Sequence, residues 1–182
     1  MKLIEKKSIL KTHPFEVEEI FFELPDLKPS HSYFRLAAAD WVNVLPVTAN
    51  GQVILIRQPR VGTMNFVLET PGGVMDPHEK DATMAAAREL EEETGFVSQR
   101  FLPLGSINPN PAIMTNRCHF FVALGCQPTT NRKHFPDADE RITLELVNVQ
   151  DLDGLVRTGQ INHALACLCI MLAGRYIGLK SS

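Results

Sequence analysis

The first half of the chain alternates apolar and polar positions in short runs broken by turn residues, the pattern of strands rather than helices. FEVEEIFFEL (Phe15–Leu24) and HSYFRLAAA (His31–Ala39) are rich in aromatic and apolar residues, with PDLKPS between them as a turn. WVNVLPVTA and QVILIRQ flank Asn50-Gly51, and Asn-Gly between two apolar runs predicts a hairpin. Phe66, Val67 and Leu68 make a further short strand, ended by Pro71-Gly72-Gly73. The period then lengthens. Asp81 is placed as the N-cap of a helix running to about Thr94, with Gly95 as its stop. Strands return near Phe101–Ser106, Arg117–Leu124 and Arg141–Val149. Two helical segments close the chain, a short one from Asp151 and a longer one from Gln160 to about Ala173. In the second, Ile161, Ala164, Leu165, Leu168 and Leu172 recur at helical spacing and predict a core-facing stripe. Strands interrupted by one central helix and closed by another predict an α/β sandwich with a mixed sheet.

Composition narrows the function. A chain of 182 residues suits one domain, or one with a small appendage, and buries a real core. A net charge of -3 gives no basic surface for nucleic acid. The longest apolar run, Ala164–Ala173, is too short to span a bilayer. MKLIEKKSIL lacks the apolar stretch and small-residue cleavage site of a signal peptide, so the expected location is cytoplasmic. Cys118, Cys126, Cys167 and Cys169 form no CxxC pair and read as small hydrophobes in a reducing compartment.

The chemistry is concentrated in PGGVMDPHEKDATMAAARELEEETGF, Pro71–Phe96. Glu89, Glu92 and Glu93 stand at i, i+3 and i+4 and share one face of the predicted helix; Glu91 is expected to point away into solvent. Each like-charge pair costs about 0.2–0.5 kcal/mol, and the negative end of the helix adds a comparable penalty. A solvated acidic face would leave that cost unexplained. A divalent cation reverses its sign, because hard cations such as Mg²⁺ take oxygen ligands. Glu79 in the preceding turn is placed to pair with Arg88, and an Arg–carboxylate pair fixes a helix against a loop.

The stretch resembles the signature of the Nudix hydrolases: G, five residues, E, seven residues, then R-E-apolar-x-E-E-x-G-apolar. Gly73, Glu79, Arg88, Glu89, Leu90, Glu92, Glu93, Gly95 and Phe96 match in order. One departure stands out: eight residues, not seven, separate Glu79 from Arg88, which bears on the contact between them. The resemblance implies a Nudix-type α/β/α sandwich. It also implies that Glu89, Glu92 and Glu93, with the carbonyl of Gly72, hold Mg²⁺ or Mn²⁺, and that Arg88 supports them. The reaction implied is attack of water on a diphosphate linked to another group, with metal ions orienting the water and neutralising charge.

The resemblance continues outside the signature into the ADP-ribose and nucleoside-diphosphate-sugar pyrophosphatase branch. Arg57, Gln58 and Arg60 match its R-Q-x-R segment, and Glu69-Thr70-Pro71-Gly72-Gly73 its E-x-P-G-G. Arg60 is the candidate for a phosphate or terminal-sugar contact, since guanidinium suits such oxygens. Arg57 is either a second such contact or a strand-edge residue, and Glu69 either a ligand or a buried structural carboxylate. In this branch an N-terminal strand segment, here residues 1–40, builds a homodimer before the hydrolase domain, here 41–182. Tyr33, Phe34 and Trp41 are then candidates to stack on a purine, or pack as core or interface. In the branch an acidic loop supplies a Glu that serves as catalytic base or additional metal ligand; among Asp137, Asp139 and Glu140, Glu140 stands nearest the strand start and is favoured. His163, on the last helix, receives no role.

The resulting expectation is a metal-dependent hydrolase of nucleoside diphosphate sugars, ADP-ribose leading and GDP-mannose or a broad range next. Such a substrate is a small molecule, with neither membrane nor nucleic acid as partner. Cleavage of nucleoside triphosphates or RNA 5′ ends by the same site fits poorly with the N-terminal segment, with LETPGG and with the lack of a basic surface. A non-catalytic Nudix ligand sensor would have a damaged glutamate set, and this set is whole.

Overall fold

The computed structural model describes residues 1–26, 31–79, 81–137 and 140–178. It comprises strands β1 (Lys2–Lys11), β2 (Phe15–Glu23), β3 (Tyr33–Ala38), β4 (Trp41–Thr48), β5 (Gln52–Arg60) and β6 (Asn65–Glu69), then helix α1 (Ala82–Thr94). Strands β7 (Phe96–Val97), β8 (Arg100–Ile107), β9 (Cys118–Pro128) and β10 (Thr143–Asn148) follow, and helices α2 (Leu152–Arg157) and α3 (Ala164–Ile177) end the chain. The 27–30 part of the PDLKPS turn, together with Lys80 and Asp139, lies outside the described residues.

The chain divides into two compact units. The first holds Met1–Asp40 and Ile107–Cys118. Its sheet runs β1-β2-β3, antiparallel throughout. β1 pairs along nearly all of β2 and was not separately evident in the sequence, where its lysines mask the apolar positions. Glu18 is 2% exposed, yet it accepts Lys6 Nζ from β1 and Arg35 Nε from β3, both at 2.7 Å. The hydrogen bond from Lys6, then that from Arg35, outweighs burial and holds the Glu18 carboxyl below its ordinary range. One buried carboxylate thus ties all three strands in one register.

The second unit holds Trp41–Ser106 and His119–Ser182 and contains a sheet of order β10-β5-β4-β9-β7, with β6 on β5 and β8 on β9. The Asn50-Gly51 hairpin forms as predicted, with Gly51 at φ 80°. Val42, Val44 and Ile54 pack with Ala85, Ala86 and Leu90 of α1 and with Phe121 and Ala123 of β9. The last helix departs from expectation. It begins at Ala164, not Gln160, and runs to Ile177, where Gly178 takes the left-handed conformation at φ 73°. Its buried positions are Ala166, Cys169, Ile170, Ala173 and Gly174, one residue round from the expected stripe. The segment is apolar on nearly every side, so periodicity alone chose the wrong face. All four cysteines are free thiols, and burial pushes Cys118 up to about 12 and Cys126 to about 11.

Candidate active site

Helix α1 is built as the sequence predicts. Asp81 Oδ1 accepts the N–H groups of Thr83 (2.8 Å) and Met84 (3.1 Å), and Gly95, at φ 70°, donates to the Glu91 carbonyl at 2.8 Å. It carries no basic residue in its last turn to offset its four glutamates. Two arginines from different places do so.

Arg88 lies at the centre of one group. Its Nε donates to Glu79 Oε1 at 2.9 Å, its Nη1 to Glu89 at 2.8 Å and Glu92 at 3.0 Å, and its Nη2 to the Val74 carbonyl at 2.9 Å. The extra residue between Glu79 and Arg88 therefore does not break their contact. Glu79 is held from its own side too, accepting the Asp76 N–H at 2.7 Å. Burial works against the charge on Arg88, but the bond with Glu79 and the charge of Glu89 hold its pKa above the ordinary value.

The other arginine is Arg132, in the segment after β9. Its Nη2 donates to the Glu92 carbonyl at the helix end, and its Nε to the His134 carbonyl at 2.8 Å. Next to it, the Lys133 N–H donates to Glu91 Oε1 at 2.5 Å, with His134 Nε2 at 4.0 Å from Glu91 Oε2. Glu91 is thus buried, 8% exposed, and does not point into solvent as expected. No local signal could reveal this, because its partner lies 42 residues away. Glu91→Ala should cost about 1–3 kcal/mol by removing the bond between its carboxylate and the Lys133 N–H. Urea denaturation of the metal-free protein checks it, and an unchanged midpoint would show the bond to be dispensable.

The Gly72-Gly73 turn passes between β4 and α1. The carbonyls of Pro71 and Gly73 accept the N–H groups of Val44 (2.8 Å) and Val42 (2.9 Å), while the Gly72 N–H turns to Glu93 Oε2 at 2.7 Å. The Gly72 carbonyl stays outside that ladder. Neither glycine has room for a side chain. A Cβ on Gly72 would lie 2.3 Å from the Val42 oxygen, and one on Gly73 2.4 Å from Glu89 Oε1.

Along β5 side chains alternate between faces. Gln58 and Arg60 share a face: Gln58 Nε2 lies 3.4 Å from Glu93 Oε1, and Arg60 Nε donates to Glu69 Oε1 at 2.7 Å. Arg57 turns to the other face and pairs with Glu145 of β10 at 2.5 Å. The structure therefore brings Arg60, Glu69, Gly72, Arg88, Glu89, Glu92 and Glu93 together and carries Arg57 away. Trp41 pairs through its backbone with Val74, beside the Gly-Gly turn, and is half-buried. Glu140 closes a turn with Asp137, accepting its N–H at 3.0 Å, and the Glu140 charge reaches Glu89. Tyr33 packs against Phe22 and His31, with ring centroids 4.9 and 4.7 Å apart.

Burial pushes the Glu89 carboxyl from 4.5 up to about 7, against the pull of Arg88, and Glu92 and Glu140 push it further up. Burial, then the charge of Glu89, pushes Glu93 well above its ordinary range. Among the described residues, the guanidinium partners that Glu69, Glu79, Glu89, Glu92 and Glu93 face in this site are Arg60 and Arg88. Among the described residues no three ligating side chains already converge into a cage. The donors are nevertheless all oxygen, two of the carboxylates are buried against their own ionisation, and Gly73 is shaped around Glu89. That set fits a hard divalent cation.

Comparison with known proteins agrees. A model of the NUDIX domain matches residues 37–165. The ADP-ribose pyrophosphatase of Bacillus subtilis (strain 168) is 28% identical over 189 aligned residues, covering 100% of this chain and 97% of that protein. The ADP compounds hydrolase NudE of Escherichia coli (strain K12) is 24% identical, covering 82% of this chain and 80% of its own. A solved structure described as the crystal structure of ADP compounds hydrolase superposes with a TM-score of 0.83 at 22% identity, over 97% of this chain and 94% of that one.

Proposed function

The chain belongs to the NUDIX hydrolase family, and from that premise we propose that it hydrolyses the diphosphate bond of nucleoside diphosphate sugars, ADP-ribose first, to a nucleoside monophosphate and a sugar phosphate. The observation that carries this is the pair of buried carboxylates, Glu89 and Glu93, packed at a Gly-Gly turn with too few cations to balance them. The substrate class is supported by the names of relatives that act on ADP-ribose or ADP compounds. GDP-mannose or a broader range comes next.

Glu89, Glu92, Glu93 and the Gly72 carbonyl would hold the divalent ion, Mg²⁺ or Mn²⁺. Bound there, it supplies positive charge to the diphosphate and acidifies water. The protein's own groups do the rest. Arg88 holds Glu89 and Glu92 on one face while Glu79 holds Arg88. Arg60 offers N–H donors to a phosphate oxygen, and Glu69 orients it. Glu140 takes the proton of the attacking water as its oxygen bonds to phosphorus and the anhydride P–O bond breaks. Trp41 lies beside the Gly-Gly turn, where an aromatic ring suits a base or sugar.

A homodimer is supported by β1, an edge strand that leaves Leu3, Ile4, Ile9 and Leu10 48–56% exposed. Four free cysteines favour a reducing, cytoplasmic setting, and no described helix is long and apolar enough to cross a membrane. The test is incubation with ADP-ribose, GDP-mannose, ATP and a 5′-triphosphorylated RNA, with and without Mg²⁺, alongside light scattering. Metal-dependent release of AMP from ADP-ribose by a dimer is expected. Turnover of RNA alone would overturn the substrate, no turnover the enzyme, and a monomer mass the dimer.

A further inference from the structure

His163 precedes α3 at the position where Ser, Thr, Asp or Asn would cap the helix, yet its side chain makes no cap bond. It turns instead to Glu69, with Nδ1 3.2 Å from Oε2. Both atoms are buried, and neither makes a hydrogen bond as the side chains stand, so the pair approaches within bonding distance without the alignment of a bond. The other oxygen, Oε1, holds Arg60 Nε at 2.7 Å. Glu69 is 1% exposed, whereas the Arg60 side chain is 42% exposed. The carboxylate therefore lies underneath, and the guanidinium emerges from it. No other hydrogen bond engages the Arg60 guanidinium among the described residues, which leaves its terminal N–H groups for a ligand. The charges of Arg60 and Glu69 both reach Glu93, so the array borders the metal-holding face.

A nitrogen lone pair facing a carboxylate oxygen is repelled, so the arrangement this contact favours is a ring proton on Nδ1, brought onto Oε2 by a small rotation of the ring. Burial also disfavours the imidazolium, against the pull of Glu69. A carboxylate held at one oxygen turns about a soft terminal torsion, whereas one held at both does not. We propose that His163 is a positioning residue for substrate binding: its Nδ1–H fixes Glu69, and Glu69 in turn aims the terminal N–H groups of Arg60 at a phosphate oxygen of the diphosphate. This rests on the Arg60 contact proposed above.

Asparagine and glutamine separate the two ring nitrogens. In His163→Asn the amide nitrogen reaches the place of Nδ1 and no further, whereas in His163→Gln it reaches the place of Nε2. His163→Ala, His163→Asn, His163→Gln, Arg60→Gln and the double change of His163→Ala with Arg60→Gln are compared in the full chain. The readouts are kcat and KM for ADP-ribose with Mg²⁺, and calorimetric binding of ADP-ribose in EDTA. His163→Ala and His163→Gln should raise KM and the metal-free Kd about tenfold with kcat retained. His163→Asn should restore most of that loss, and His163→Ala should add nothing in the Arg60→Gln background. Rescue by His163→Gln rather than His163→Asn, multiplying losses in the double variant, or a lowered Tm with unchanged binding would each overturn the inference. If Arg60→Gln binds ADP-ribose normally, the Arg60 contact itself is wrong. If it binds weakly while His163→Ala binds normally, only the role of His163 falls.

Discussion

Glu93→Gln should lower metal-dependent turnover of ADP-ribose by orders of magnitude while raising the Tm measured in EDTA. The two effects have one cause. Glu93 is buried against its own ionisation and repelled by Glu89, so its charge destabilises the metal-free fold. A glutamine side chain keeps an oxygen for the Gly72 N–H, the bond that Glu93 accepts at 2.7 Å, and removes the charge a cation needs. Glu92→Gln should cost similar activity but leave the metal-free Tm nearly unchanged or higher, since Glu92 is less buried and shares Arg88 with Glu79 and Glu89. The sign extends to pH. A carboxyl whose folded pKa is raised contributes stability that is present below its unfolded value and lost as pH rises through the folded one. Glu89 moves from 4.5 to about 7, so the metal-free Tm should fall across that interval, and Glu93→Gln should flatten the fall. Added Mg²⁺ should stabilise more at the higher pH, because ligands must be deprotonated. A metal-free Tm that drops on Glu93→Gln would instead make the carboxylate a member of a structural network.

Gly72→Ala and Gly73→Ala should fail in different ways. At Gly72 the added carbon meets backbone, 2.3 Å from the Val42 oxygen and 2.9 Å from the Asn43 Cα. Neither β4 nor the turn can retreat without breaking the Val42 and Val44 bonds, so the cost is about 1–3 kcal/mol or more, seen as lost soluble protein or a lowered Tm. At Gly73 the obstacle is the Glu89 carboxylate, a side-chain end that can swing away. Gly73→Ala should therefore fold with a smaller loss of Tm and yet lose most of its activity and Mn²⁺ affinity, because Glu89 leaves the face it shares with Glu92 and Glu93. Equal losses of stability in the two variants would remove the distinction.

Much of this site was legible in one dimension because it is local. The capped helix, the i, i+3, i+4 glutamates, the Gly-Gly turn and the Glu79–Arg88 pair all lie within Pro71–Phe96, so a short stretch of chain and the geometry of one helix bring most of these groups together. The alternation along β5 carried a further clue: Gln58 shares the parity of Arg60 and of core residues Ile54 and Ile56, and so belongs on the site face, while Arg57 does not. The expected stripe on the last helix failed for the opposite reason, since a segment apolar all round has no periodic contrast.

By itself, then, the sequence determined most of the elements, the glutamates that share a face of the first helix and the family, through spacings within one short stretch. Only the tertiary structure decided which distant groups complete the face. Arg132 and Lys133 return from beyond β9 to hold the helix end and bury Glu91, and His163 reaches Glu69 from the start of the last helix. Those contacts link residues tens of positions apart, and no local propensity encodes them. A helix-end carbonyl and a buried carboxylate both call for a donor, and the packing of the sheet and helices settles which group comes within reach.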